Sequence, residues 1–246
     1  MNKHHVILLI ALFQLVFISC TEEKNSLTAQ EIIDKAIASS GGEIIANSTI
    51  SFQFRDKHYT AKREGGNFRL TRSFDSIQDI LTNDSFKRLI NGKGIDLTDS
   101  IANNYRNSVN SVHYFSVLPF GLNDPAVKKK LLRTKKIKNS EYYKLEIRFA
   151  EEGGGEDFND VFIYWIDKET FYVDYLAYQY FTDGGGYRFR ELKEQCIING
   201  IRFVDYTNFK PSKTIDNIHE IDDYYINGNL EKVSEIILRN IEVNPN

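Results

Sequence analysis

Glycine-rich turns separate a series of strand-like segments in the second half of the chain, and they constrain the fold more than any other feature. Between residues 143 and 149, apolar and charged residues alternate strictly, as on a strand with one buried face. Four further strand-like segments follow, over residues 158–166, 171–181, 187–198 and 201–209. Strands joined by short glycine-rich turns pair as antiparallel hairpins. The sequence therefore predicts a large antiparallel sheet.

A second meander is predicted nearer the N-terminus. Alternating apolar residues predict strands over 49–55, 58–63 and 68–74, and shorter strands over 86–91 and 94–97. Asn91-Gly92 is typical of the tight turn between the last two. A final strand is predicted over about 234–242.

Three helices are predicted around these strands. Thr28 and Glu31 have the spacing of a capping box, an apolar stripe follows, and Gly41 ends a helix over about 29–39. Asp124 followed by Pro125 predicts a short helix through Leu132. A third helix is predicted near residues 218–225. The fold class is therefore α+β and mainly antiparallel β, with residues 28–246 forming a single domain.

The first 20 residues have the order of a lipoprotein signal. Lys3 precedes an apolar run from Val6 to Ile18, and Ser19-Cys20 completes a lipobox. The run is too short to span a bilayer as a permanent helix. We expect cleavage after residue 19, a diacylglyceryl group on Cys20, and a solvated tether over 20–27. The expected partner is a membrane, and the expected location is the outer membrane, facing the periplasm or the cell surface.

Charge and cysteine content bear on nucleic-acid binding and on disulfide formation. The 246 residues carry a formal charge of −3, and loss of Lys3 with the signal makes it −4, which does not favour nucleic-acid binding. Once Cys20 is acylated, Cys196 has no partner for an intramolecular disulfide. Cys196 lies in an apolar stretch, so we expect it to be a small buried filler.

The predicted architecture resembles known lipoprotein folds. A capped helix followed by a long antiparallel meander with a helical interruption resembles the outer-membrane lipoprotein carriers. That resemblance implies a curved half-barrel sheet with the N-terminal helix and short helices packed on it around an apolar cavity. The sequence more closely resembles a family of uncharacterised lipoproteins from Bacteroidota. The segments that carry this second resemblance are residues 52–59, 107–115, 118–124, 174–178 and 186–190.

Several charged residues fall in phase with apolar residues on predicted strands. Arg72 alternates with Leu70 and Phe74, and Asp174 and Asp205 occupy similar positions. A buried charge is costly unless it is paired, so these residues either form ion pairs or line a wet cavity. In the cavity interpretation, arginines meet an anionic head group and tyrosines flank its apolar part. The candidate ligand-binding residues are Arg72, Tyr178, Tyr180, Arg188, Arg190 and Tyr206.

Three function hypotheses follow. The leading one is a non-enzymatic lipoprotein that holds a hydrophobic or amphipathic ligand such as a lipid. The second is an interaction module in which exposed aromatic residues contact a partner protein or glycan. The third is a hydrolase that uses carboxylates. Its candidate residues are Asp157, Asp160, Asp174 and Glu191.

No catalytic, metal or cofactor motif supports a more specific chemistry. The histidines of the mature chain, His58, His113 and His219, lack the spacing of a zinc site. Neither a nucleophile elbow nor a phosphate-binding loop is present. We therefore expect no catalytic residues, no metal and no cofactor.

Overall fold

A computed structural model describes residues 27–153, 158–181 and 184–246. The predicted signal, Cys20 and most of the tether lie outside the described residues. The helices are α1 (Ala29–Ser39), α2 (Gly42–Ala46), α3 (Asp99–Ser116) and α4 (Ile221–Ile226). Two 3₁₀ helices span Phe120–Asn123 and Ile218–Glu220.

The strands form two antiparallel sheets that are open and curved. The first half of the chain contributes β1 (Ser48–Phe54), β2 (Lys57–Glu64), β3 (Asn67–Phe74), β4 (Ile77–Thr82), β5 (Phe86–Ile90) and β6 (Lys93–Gly94). The second half contributes β7 (Val127–Leu131), β8 (Lys135–Ile137), β9 (Ser140–Phe149), β10 (Val161–Asp167), β11 (Val173–Tyr180), β12 (Gly186–Ile198), β13 (Ile201–Pro211), β14 (Leu230–Ile236) and β15 (Leu238–Pro245).

The sheet order follows the chain closely. The first sheet has the order β15-β1-β2-β3-β4-β5-β6, and the second has β14-β13-β12-β11-β10-β9-β7, with β8 also paired to β9. Only Ile237 separates β14, at the edge of the second sheet, from β15, at the edge of the first. The mainly antiparallel fold class is confirmed, although the strands form two sheets instead of one.

Helices α1 and α3 pack on the two sheets. Ile32 and Ile33 of α1 pack in one apolar cluster with Leu145 of β9. Val109 of α3 packs with Leu70 of the first sheet. Both helices thus bury apolar side chains against strands, which is where most helix stability in proteins arises.

The far face of the second sheet is covered by the segment that contains α4. Ile218 and Ile221 pack with Trp165 and Phe189 in a separate apolar cluster. Asp222 of α4 is fully buried, and it accepts a hydrogen bond from the Nζ of Lys144 at 2.7 Å. The second sheet therefore has an apolar cluster on each face.

Several predicted elements are confirmed. The capping box is present, because the Thr28 hydroxyl accepts a hydrogen bond from the Glu31 backbone and the Glu31 side chain accepts from the Thr28 backbone. The two meanders and the helix near residue 218 are also found, but the first meander contains the unpredicted strand β4, and the strand predicted over 94–97 is only the two residues of β6. The predicted final strand is a pair of strands, β14 and β15.

Two predictions are wrong. The helix predicted from Pro125 to Leu132 is the edge strand β7, and the helix of this region is α3, which ends before Pro119. Cys196 is exposed, because the second half of β12 projects away from the apolar clusters. Partial burial nevertheless raises the pKa of the Cys196 thiol, and the nearby Asp205 carboxylate raises it further.

Candidate functional site

A cavity of about 680 Å³ lies between α3 and the second sheet. Its walls come from α3, β9, β10, β11, β12 and β13, and from the junction of β14 with β15. The aromatic side chains that line it include Tyr114, Phe115, Phe149, Phe162, Tyr178 and Tyr180.

These aromatic rings contact one another in series across the sheet. The ring centroid of Phe162 lies 5.6 Å from that of Phe149 and 5.7 Å from that of Tyr178. Phe115 of α3 also belongs to this group, and its ring centroid lies 6.1 Å from that of Tyr178. Distances of this size are typical of favourable aromatic pairs. One wall of the cavity is therefore a continuous aromatic surface.

Two arginines line the same cavity from β12. Arg188 and Arg190 are two residues apart, so both side chains lie on one face of the strand. Arg190 is only 9% exposed, and its guanidinium carbon lies 4.3 Å from the centre of the Phe115 ring. Its Nη2 donates to the Tyr178 hydroxyl at 3.2 Å, and its Nε has no hydrogen-bond partner.

Arg188 is half-buried and lies nearer the end of the strand. Its Nη1 donates to the backbone oxygen of Tyr187 at 2.8 Å, and its guanidinium stacks 5.2 Å from the centre of the Tyr180 ring. Among the residues that the structure describes, no carboxylate forms an ion pair with Arg188 or Arg190. The cavity therefore holds two cationic groups whose charges are not neutralised by direct pairing.

Burial keeps the neighbouring hydroxyl groups neutral. It raises the pKa of Tyr206, which lines the cavity from β13, to about 12. It also raises the pKa of Tyr114 and of Tyr164 above the usual tyrosine range. These phenols can donate hydrogen bonds but do not supply negative charge at neutral pH.

Five of the six candidate residues therefore meet at one cavity, and Arg72 does not. Arg72 is buried beneath α3, where its Nη2 donates to Asp79 at 2.6 Å and its Nη1 donates to Ser108 at 2.6 Å. Asp79 is completely buried and also accepts from Arg88, whose Nε lies at 2.6 Å. The structure thus confirms that Arg72 pairs with a carboxylate, and this pairing places it in a structural network outside the cavity.

Helix α3 supplies cavity residues that the sequence analysis did not identify. Asn107, Asn110 and Ser111 line the cavity beside Tyr114 and Phe115. The signal that identifies this helix is the helical spacing of the residues that face the first sheet. These are Val109, Val112, His113 and Ser116.

The described carboxylates proposed for hydrolysis do not converge on one place. Asp157 lies outside the described residues, and Asp160 lines the cavity. Asp174 accepts from the Nη2 of Arg202 at 2.9 Å, and Glu191 pairs with Lys138 on the other face of the sheet. Of the three described candidates, only Asp160 therefore lines the cavity.

The positions of Asp174 and Asp205 have local causes. The register of β10 against β11 shifts between Trp165 and Ile166, so Asp174 is a bulge residue and does not share the face of Tyr178. Asp205 accepts a hydrogen bond from the backbone N–H of Leu238 at 2.9 Å, at the start of β15. Neither side chain lines the cavity.

Within residues 27–153, 158–181 and 184–246, histidine, cysteine and acidic side chains form no group of three that could hold a metal ion. In the same ranges, no helix has the length and apolar character needed to cross a membrane.

The fold and the cavity together define an open antiparallel half-barrel protein with an internal cavity. Residues 3–238 match DUF6503, a family of unknown function, and the chain belongs to this family. No curated protein matches the sequence significantly.

Solved structures share the fold at low sequence identity. A DUF1329 family protein from Desulfovibrio piger is 11% identical, with a TM-score of 0.50 over 88% of this chain and 93% of that chain. A LolA superfamily protein from Nitrosomonas europaea is 12% identical, with a TM-score of 0.48 over 88% of this chain and 94% of that chain. Because identity is so low, the likeness to the first of these concerns the fold alone.

Proposed function

We propose that this protein is a membrane-anchored lipoprotein that binds a hydrophobic or amphipathic ligand in the half-barrel cavity. The observation that carries the proposal is the cavity of about 680 Å³ with one wall of stacked aromatic rings. Small-molecule sites are typically concave, largely apolar and about 300–1,000 Å³ in volume, with a few placed polar groups.

The polar groups of the cavity suit a ligand with one polar end. Arg188 and Arg190 lie on β12, next to the tyrosines of β11, because Tyr178 pairs with Arg188 in the sheet register. Phe149 and Phe162 lie further along the same wall, on β9 and β10. An apolar chain along the phenylalanines would therefore place its polar end near the arginines.

The anchor is the second part of the proposal. Lys3 and the apolar run to Ile18 precede Cys20 in the order of a lipoprotein signal with a lipobox. Each buried methylene contributes about 0.8 kcal/mol, so two or more acyl chains hold a protein firmly at a membrane. We propose that the anchor keeps the cavity at the outer membrane, where lipids are available as ligands.

Blocking the cavity tests ligand binding. Ser111 is exposed on α3 and lines the cavity, so Ser111→Trp places a large ring at the cavity without disturbing the core. Asn104→Trp is the matched control, because Asn104 is exposed on the same helix and does not line the cavity. Photo-crosslinking with a long-chain alcohol that carries a diazirine measures occupancy in the purified full chain.

We expect the probe to label cavity residues in the wild type and in Asn104→Trp, and Ser111→Trp to lose most of this labelling. Equal labelling of all three proteins, or labelling confined to the outer surface, would contradict the proposal. A melting curve for each variant shows whether the domain remains folded.

A further inference from the structure

Arg190 is a buried cation that the described part of the chain does not neutralise. The side chain is 9% exposed and faces the cavity, yet its charge is met by only one hydroxyl and by the faces of Phe115 and Tyr178. Its Nε has no hydrogen-bond partner. Burial of an unpaired charge costs several kcal/mol of stability, so this arrangement is expensive for a purely structural residue.

Three of the other four buried arginines in the described residues are paired with a carboxylate. Arg72 and Arg88 share Asp79, and Arg202 pairs with Asp174 at 2.9 Å. Such pairing removes most of the cost of burial. Arg190 differs because its guanidinium lies beside the cavity and not beside a described carboxylate.

Arg188 adds a second positive charge to the cavity wall beside Arg190. It projects from the same face of β12 two residues earlier, and its guanidinium rests on Tyr180 at the cavity wall. A guanidinium presents several N–H donors in one plane and binds carboxylate or phosphate oxygens in pairs. Two guanidiniums on one strand face therefore offer donors to several oxygens of one anion.

The described acidic residues that line the cavity lie in other segments. Asp124 and Asp160 line it from the turns that precede β7 and β10, and β11 separates β10 from β12. Burial raises the pKa of the Asp124 carboxyl, although the nearby Lys129 opposes this effect. The positive charge is thus concentrated at the β11–β12 side of the cavity.

We infer that Arg188 and Arg190 form the seat for an anionic head group, and that the ligand of the cavity is an amphiphile with an alkyl chain and a phosphate or carboxylate end. This inference rests on the proposed function, because it assigns the polar end of the ligand for which the cavity is proposed.

Three probes with the same diazirine-bearing alkyl chain separate charge from chain binding. The chains end in a phosphate, a hydroxyl or a trimethylammonium group, and each is offered to the full chain in nanodiscs of phosphatidylcholine, which is zwitterionic and has no net charge. Labelling is quantified against probe concentration, and labelled residues are mapped by mass spectrometry. Empty nanodiscs provide the blank.

We expect the alkyl phosphate to label the cavity at the lowest concentration and the trimethylammonium probe at the highest. Arg190→Gln is expected to weaken labelling by the alkyl phosphate about 10- to 100-fold, as for the loss of a charge-assisted hydrogen bond, and to leave the alcohol probe unchanged. Arg188→Gln changes a half-exposed position and serves as the second variant if Arg190→Gln fails to fold. We expect Arg188→Gln also to weaken labelling by the alkyl phosphate.

Arg63→Gln is the matched control. Arg63 is as buried as Arg190 and also lacks a carboxylate partner among the described residues, but it does not line the cavity. We expect this variant to bind all three probes as the wild type does. A loss of phosphate labelling in Arg63→Gln equal to that in Arg190→Gln would overturn the assignment, because it would trace the effect to the net charge of the protein.

The remaining outcomes distinguish the two proposals. Equal labelling by phosphate and alcohol probes in the wild type would overturn the anionic seat and leave the cavity as a site for apolar chains. Absence of cavity labelling by any probe would overturn the proposed function itself. Full protection by inorganic phosphate, at the concentration at which the alkyl phosphate saturates, would assign the arginines to a free anion and overturn the head-group assignment.

Discussion

Under α3, the buried carboxylate of Asp79 pairs with two buried arginines. Asp79 is the only carboxylate that contacts Arg72 and Arg88 among the described residues, and it accepts hydrogen bonds from both at 2.6–2.9 Å. The second arginine also stacks on Tyr105, with its guanidinium carbon 3.3 Å from the ring centre. Asp79 is therefore the residue on which the whole network depends.

Asp79→Asn is expected to lower the free energy of unfolding by about 3–5 kcal/mol, because two buried guanidiniums lose their counter-charge. Arg72→Met is expected to cost less, since Arg88 still pairs with Asp79. Urea unfolding of the three proteins measures both effects. Glu64→Gln at the exposed Lys62–Glu64 pair is the control, and it should leave the midpoint unchanged. An equal cost for Asp79→Asn and Arg72→Met would show that Arg88 does not share the charge.

His113 is a second residue whose burial has a measurable consequence. Its Nε2 donates to the backbone oxygen of Thr71 at 2.9 Å, and its ring packs against Phe52 and Tyr59. Burial lowers the pKa of His113 to about 3, so the folded protein keeps this ring neutral. The unfolded chain binds a proton at about pH 6.5.

Between pH 6.5 and about 3, the unfolded state therefore binds more protons than the folded state, and stability falls as the pH falls. The His113 ring alone is expected to lower the free energy of unfolding of the wild type by about 2 kcal/mol as the pH falls from 7.5 to 5. His113→Gln keeps a donor for Thr71 and should remove this loss in urea unfolding. His58→Gln is the control, because the His58 side chain is exposed before and after unfolding. A loss of the same size in His113→Gln would contradict the assignment.

At the scale of elements, α1 and α2 are docked on the second sheet by a contact between two glycine turns. Gly41 connects the helices in a left-handed conformation, with φ of +85°. A Cβ atom at this position would lie 2.3 Å from the backbone oxygen of Gly200, in the turn between β12 and β13. The close approach therefore requires glycine at position 41. Gly200 also has positive φ, +83°, and a Cβ atom there would lie 2.6 Å from the Cδ1 of Ile44.

Gly41→Ala is expected to lower the free energy of unfolding by roughly 2–4 kcal/mol, because the left-handed backbone and the overlap with Gly200 both become unfavourable. Gly65→Ala separates the two causes, since Gly65 also has positive φ, +57°, but a Cβ there has no atom within 4 Å. Thermal or urea unfolding should show the smaller cost for Gly65→Ala. Similar costs for both variants would mean that the turn contact contributes little.

The elements that the sequence predicted well are those whose pattern reflects burial on one face. Apolar and charged residues alternate strictly in β9, and the two-residue spacing of Arg188 and Arg190 puts both side chains on one face of β12. Arg72 also has the predicted parity, but Asp79 and Arg88 come from β4 and β5, so its partners depend on strand pairing. Side-chain parity is local information, whereas pairing is not.

The errors have equally physical causes. Eight of the 18 residues of α3 are serine or asparagine, which have weak helix propensity, so tertiary packing and not local preference makes this segment helical. Asp124-Pro125 resembles a helix start, but the Val127 N–H donates to the Asp124 backbone oxygen, which makes a turn into β7. Lys128 and Lys130 then project from an edge strand, a common protection against unwanted pairing.

At the scale of the whole molecule, the cavity lies where the two sheets meet. Ile236 and Leu238, on either side of the single residue that links β14 to β15, both line it. Asp205 holds this junction by accepting the Leu238 N–H. The connection through which the chain passes from one sheet to the other is therefore part of the cavity wall.

The described domain begins at Leu27, which packs against the apolar cluster around α1, so the proposed anchor is separated from the fold by a short segment. Cys20→Ala removes the thiol that would carry the lipid and no residue of the described core. We therefore expect the variant to melt as the wild type does and to move from the membrane fraction to the soluble fraction after a carbonate wash. Ser26→Ala, in the same tether, is the control and should stay with the membrane. If Cys20→Ala remained in the washed membranes, the acyl chains would not be the anchor, and the cavity would have to be held at the membrane by its own surface.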